Sequence, residues 1–168
     1  KDGRRKPWLV GTIIVMTLGA LSLWFVQPEG KGMSLGLALT ILFVIKICFT
    51  VSEVFHNAML PSVAPVNRIG LISGLAFSLG NVGGLLLMLF VLFAFSLPGT
   101  QPWAFLPDAP LFGIDQSAHE HNRIVGPIAG IWMIIFMFPV LMFTPDGKAS
   151  TTPMLRLAKE GVKDVVQT

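Results

Sequence analysis

The sequence predicts an all-α integral membrane protein with four transmembrane helices. Three observations carry this. Four apolar runs are long enough to cross a bilayer, and three of them contain no Asp, Glu, Lys or Arg. The chain is 53% hydrophobic and 12% charged, with a mean hydropathy of +0.73, where ordinary soluble domains carry roughly 25% charge. The basic residues cluster at the ends of the apolar runs, which marks membrane topology rather than a phosphate-binding patch. The net charge of +3 therefore points to a lipid bilayer as partner and not to nucleic acid. Cys48 is the single cysteine, so no disulfide can form within the chain.

Residues 1–7 (KDGRRKP) read as a cytoplasmic basic loop, with Pro7 suited to a first helical turn. The first residue is Lys1, and the apolar run that follows is longer than the roughly 7–15-residue core of a secretory signal. The chain is therefore expected to be a piece of a larger membrane protein. Residues 8–26 are uncharged and span about 28 Å as a helix, with Trp8 and Trp24 placed as interfacial aromatics. Gly11 and Gly19 offer close helix contacts. The short turn Gln27–Gly32 sends the next helix, residues 33–60, back antiparallel. Pro61 and Pro65 are expected to break that helix.

Residues 69–97 form a third, Gly-rich transmembrane helix. Gly70 with Gly74 and Gly80 with Gly84 make two GxxxG pairs, with Gly83 beside them. Small residues let helix backbones approach closely in lipid, so these five glycines predict a packing seam. Residues 98–123 read as an extracytoplasmic loop whose Trp103, Phe105, Leu106 and Phe112 lie on the membrane surface or fold over the helices. His119-Glu120-His121 has the wrong spacing for a zinc helix motif and no third ligand nearby, so it reads as a solvated loop, and no metal or cofactor is expected. Residues 124–143 form the fourth span, kinked by Pro139, and 152–168 an amphipathic cytoplasmic linker helix.

The second span alone carries charge, in KICFTVSEVFHNAML. A charge at the bilayer centre costs at least about 2.5–3.5 kcal/mol, and such residues face a protein interior or a watery path. At 100° per residue Lys46, Thr50, Glu53 and Asn57 fall within about 60° of one another, with His56 about 80° to one side of Lys46. Lys46 lies near the midplane, about 16–20 Å from either end of the run, and Glu53 one turn below the exit. Lys46 either lines a solute or coupling-ion path or pairs with a carboxylate on a missing helix. His56 reads as a packed or interfacial histidine rather than a proton relay. There is no nucleophile–base pair, so the chain does not read as an enzyme.

Lys1, Arg4, Arg5, Lys6, Arg68, Lys148, Arg156, Lys159 and Lys163 fall on one side of the membrane, and Lys31 and Arg123 on the other. This bias places both ends in the cytoplasm.

Lys1-Asp2-Gly3-Arg4-Arg5-Lys6 resembles the second half of the cytoplasmic loop motif between the second and third helices of the major facilitator superfamily. GRRKPW at 3–8, FHNAMLPSVAP at 55–65, SGLAFSLGNVGGLL at 73–86 and HNRIVGPIAGIWMIIFMFPVLMF at 121–143 resemble its vacuole effluxer-like (autophagy-related) branch. The resemblance implies helices three to six of the amino-terminal six-helix half of a transporter, with the remaining helices of the parent protein as partners. It implies a small solute, amino acids among the candidates, moved by alternating access. Lys46, Glu53, Asn57, His56 and Thr50 would line the substrate or coupling-ion path. Gly3, Arg4, Arg5 and Lys6 would hold the cytoplasmic gate. The glycines of the third span would pack against the other half. Gly80 is followed by Asn81 where the antiporter signature of the superfamily has proline, so proton antiport is not implied. The alternative is a non-transporting four-helix membrane assembly or interaction subunit.

Overall fold

The computed structural model describes residues 5–28 and 31–145, and these are helical with no strand among them. Helix α1 (Lys6–Ser22) continues as a 3-10 turn to Phe25, α2 is Leu35–Val63, and α3 (Ile69–Val91) continues as a π-helical stretch to Ser96. A one-turn helix α4 (Glu120–Arg123) leads into α5 (Val125–Phe143). Four stretches among the described residues can cross a membrane by length and composition: Lys6–Phe25, Leu35–Val63, Val66–Ser96 and Glu120–Phe143. The expected linker helix at 152–168 lies outside the described residues.

Local chemistry sets the helix ends. Pro7 stands in the first turn of α1, where its missing N–H costs nothing. Ser34 caps α2 by accepting the Leu37 amide at 3.3 Å. The turn before it depends on Gly32, whose φ is +85° and where a Cβ would stand 2.4 Å from the Phe25 carbonyl oxygen.

Helix α1 is the hub. It packs against α2 on one side and α5 on the other. Leu9, Ile13, Met16 and Met59 form the buried core, and Ile45, Cys48, Phe55, Met133, Met137 and Leu141 pack on it. On α2 the packing residues Ala38, Ile41, Ile45, Cys48, Phe55 and Met59 recur at steps of three, four or seven residues, one helical face. Most other apolar side chains face outward, as they do when lipid is the solvent.

The close approaches involve other glycines than the predicted seam. A Cβ on Gly126 would lie 2.5 Å from the Ala20 carbonyl oxygen, and one on Gly130 would lie 3.5 Å from the Ala20 Cβ. The first is a clash with backbone, the second an ordinary contact. Gly126→Ala is therefore expected to destabilise the α1–α5 pair by about 1–3 kcal/mol, while Gly130→Ala is near neutral. Thermal unfolding of the two variants in detergent checks this contrast, and equal losses would contradict it.

Gly70, Gly74, Gly80, Gly83 and Gly84 have nothing within 4 Å of an added Cβ among the described residues, and neither has Gly11, whereas Gly19 meets Ile45 and Ile41. Helix α3 meets the rest chiefly near its end, where Leu87, Val91, Ala94 and Phe95 pack with Ile114, Ile124 and Ile128.

Two boundaries differ from expectation. Pro61 does not end α2, which runs on to Val63, where the Ala64 amide still reaches the Leu60 carbonyl at 3.0 Å. A proline this near the end removes one ladder bond and leaves the later ones intact. The loop expected to extend to residue 123 ends earlier, because Glu120 to Arg123 already form the helical turn α4. His119-Glu120-His121 is thus half loop and half helix rather than wholly loop. His119 has a φ of +55°, and Glu120 accepts the Asp115 amide at 2.9 Å.

Candidate functional site

Lys46, Thr50, Glu53 and Asn57 project from the face of α2 opposite its packing face, about 145° around the helix. All four are exposed, as is His56. The structure thus brings the predicted path residues to one strip turned away from α1, with His56 nearer the packing side. Because α2 extends to Val63, Glu53 lies about 15 Å from its end, deeper than one turn. Lys46 lies about 17 Å from the Leu35 end and about 26 Å from the Val63 end.

The strip is polar in part only. Leu39 and Phe43 continue it toward the Leu35 end. Its polar groups therefore run from Lys46 toward Val63 alone. The Lys46 ammonium stands 5.2 Å from the Phe49 ring centroid, and the Thr50 hydroxyl donates to the Lys46 carbonyl at 3.1 Å. Among the described residues neither Lys46 nor Glu53 has an oppositely charged group in ion-pair range. Their positions are about 10.5 Å apart along the axis, where an effective dielectric near 20 leaves about 1.6 kcal/mol of attraction. That is below the cost of placing even one charge in the bilayer centre, so each needs water, a solute or another chain segment.

The ends of α1 are clamped by cations. Arg5 donates from Nη1 to the Ala58 carbonyl of α2, and Lys6 donates from Nζ to the Leu141 carbonyl of α5 at 2.7 Å. The Leu141 carbonyl lies in the last turn of α5, where the macrodipole favours a cation, while Ala58 lies five residues before the end of α2. Gly3 and Arg4 lie outside the described residues. At the other end Arg123 donates from Nε to the Trp24 carbonyl at 2.7 Å, stands 4.6 Å from the Trp24 ring centroid, and approaches Glu120 at 3.9 Å.

A mostly apolar cavity of about 820 Å³ lies on the packing side between Ala38, Leu42 and Ile45 of α2 and Gly126 and Ala129 of α5, and the predicted path residues do not line it. No group of three or more His, Cys, Asp or Glu side chains gathers among the described residues. Sequence reasoning assigned no contact to Arg123, because a lone arginine before an apolar run carries no signal beyond topology. Gly126 and Gly130 form a further GxxxG pair, with the same spacing as Gly70 and Gly74, so the sequence carried a packing signal there but not which helix would answer it.

A family model described as MFS/sugar transport protein matches residues 1–166 of the chain. No curated protein and no solved structure matches it.

Proposed function

Because the chain belongs to the MFS/sugar transport protein family, we propose that it forms part of a secondary transporter whose solute path is lined by the polar strip of α2. It is an integral, multi-pass membrane protein of a transporter family. The observation that carries the reading is the alignment of Lys46, Thr50, Glu53 and Asn57 along one exposed strip of a membrane helix that does not need them for packing. Charges are retained in such a place when they meet an ion or a polar solute.

In this reading the four spans are helices three to six of the amino-terminal half, and both described ends face the cytoplasm. The solute is small and polar, with amino acids the first candidates on the vacuole effluxer-like resemblance and sugars on the family description. The Val63 end of the strip opens to the cytoplasm. Gly3, Arg4, Arg5 and Lys6 form the gate there, supported by the Arg5 and Lys6 bonds to the ends of α2 and α5. Alternating access moves the solute, and no bond of it is made or broken.

The open seam of α3 favours a second reading, an assembly subunit whose glycines receive a partner helix. Counterflow in proteoliposomes containing the full-length protein separates the two. Exchange of a labelled amino acid or sugar supports transport. Folded protein that exchanges neither class but co-purifies as a stable hetero-oligomer supports the subunit.

A further inference from the structure

The segment between α3 and α4 leaves α3 at Leu97 and folds back along that helix. An apolar cleft of about 510 Å³ lies between them, walled by Leu86, Phe90 and Phe93 of α3 and by Pro107 and Leu111 of the loop. Around the helix these α3 residues centre about 130° from Leu87, Val91 and Phe95, the side that packs toward Ile124 and Ile128, although the Phe90 ring still meets that of Phe95 at 5.9 Å. The cleft is thus on the outer flank of the molecule.

The loop is built, yet it shows apolar groups outward. Gln116 donates from Nε2 to the carbonyls of Phe95 at 2.9 Å, Ser96 at 3.2 Å and Pro98 at 2.9 Å, fixing its return to the end of α3. The Ser117 hydroxyl, with the Ser117 and Ala118 amides, holds the Asp115 carboxyl below the usual carboxylate range. Between these anchors Trp103 is 46%, Phe105 71% and Phe112 86% exposed. Phe105 continues the aromatic surface of α3 through Phe93 at 6.0 Å and meets Trp103 at 5.4 Å. Phe112 adopts a φ of +59°, rare for a bulky residue, with its ring against Phe95 at 6.2 Å.

The span Val66–Ser96 has 31 residues, about 46 Å of helix against roughly 30 Å of hydrocarbon. A span this long overhangs the hydrocarbon, and with the surplus at the Ser96 end the last turns and the loop stand at the level where lipid headgroups meet acyl chains. Exposed polar residues Thr100, Gln101 and Asp108 alternate there with the aromatic ones, the pattern of an interfacial belt. The exposed apolar side chains Leu79, Val82, Leu86, Phe90 and Phe93 of α3 lead into the cleft.

We propose that the cleft between the outer flank of α3 and the 100–113 loop receives the acyl chain of a bilayer lipid, making the loop an interfacial membrane-binding element. Residues 97–119 contain no Lys or Arg, so binding does not require an anionic headgroup.

The test places Trp103 alone in the full chain (Trp8→Phe, Trp24→Phe, Trp132→Phe) and reconstitutes it in phosphatidylcholine vesicles with nitroxide-labelled lipids. Quenching about twofold stronger from a label near the headgroup than from one at the chain terminus is expected, with little quenching by aqueous iodide. Adding phosphatidylserine leaves the result unchanged. A second probe, bimane on Phe112→Cys in a Cys48→Ala background, gives the same depth without removing tryptophans. Strong iodide quenching without lipid quenching would overturn the proposal by placing the loop in water. Absence of both would overturn it by placing another protein segment in the cleft.

Discussion

Lys46→Ala is expected to lower solute counterflow by about tenfold or more, about 1.4 kcal/mol of lost solute interaction, without lowering stability. Lys46 is exposed, stands over the Phe49 ring and touches none of the α1 core. Removing its charge relieves a membrane cost of at least about 2.5–3.5 kcal/mol, so helix content and melting should hold or rise. Lys46→Arg keeps the charge with a different shape and should keep partial activity. A structural ion pair would behave in the opposite way. Truncating one partner would leave a buried carboxylate unpaired and destabilise the fold by about 3–5 kcal/mol. Counterflow and thermal unfolding measured on the same preparations separate the two cases.

Arg123→Ala is expected to lower stability by about 2–4 kcal/mol. The hydrogen bond from a charged donor to Trp24 contributes about 1.5–3 kcal/mol, and the stacking on the Trp24 ring about 0.5–1 kcal/mol or more. The 3.9 Å approach to Glu120 adds little. The Arg123 side chain is only 12% exposed, so water replaces these contacts poorly. Arg123→Lys preserves the charge and loses the planar fork, and an intermediate loss should follow. Thermal unfolding in detergent reads all three proteins, and a loss under about 0.5 kcal/mol for the alanine variant would contradict the clamp.

The spans were legible because lipid demands long uninterrupted apolar helices, and no soluble fold imposes that. The grouping of Lys46, Thr50, Glu53 and Asn57 was legible for a similar reason, since helical spacing fixes which side chains share a face. The end of α2 was less so. Pro61 looks like a stop in sequence, yet a proline two residues from the end costs one hydrogen bond, and the helix continues. Partner choice was not legible. Gly19 meets α2 as its small size allows, Gly126 and Gly130 meet α1, and Gly70, Gly74, Gly80, Gly83 and Gly84 meet nothing among the described residues. A small residue permits close approach without saying which helix approaches. Arg123 was hidden because its partners Trp24 and Glu120 lie 99 and three positions away, and only the fold sets Trp24 beside it.

The most direct measurement is a cysteine scan of α2 in a Cys48→Ala background, using a membrane-impermeant thiol reagent in vesicles of both orientations. Single cysteines at Thr50, Glu53 and Asn57 are predicted to react, fastest at Asn57, and to be protected by a transported solute. Cysteines at Ile41, Ile45 and Phe55, on the packing face, are predicted to stay unmodified. Equal inertness on both faces would mean that no water reaches the polar strip, and would contradict its role as a solute path.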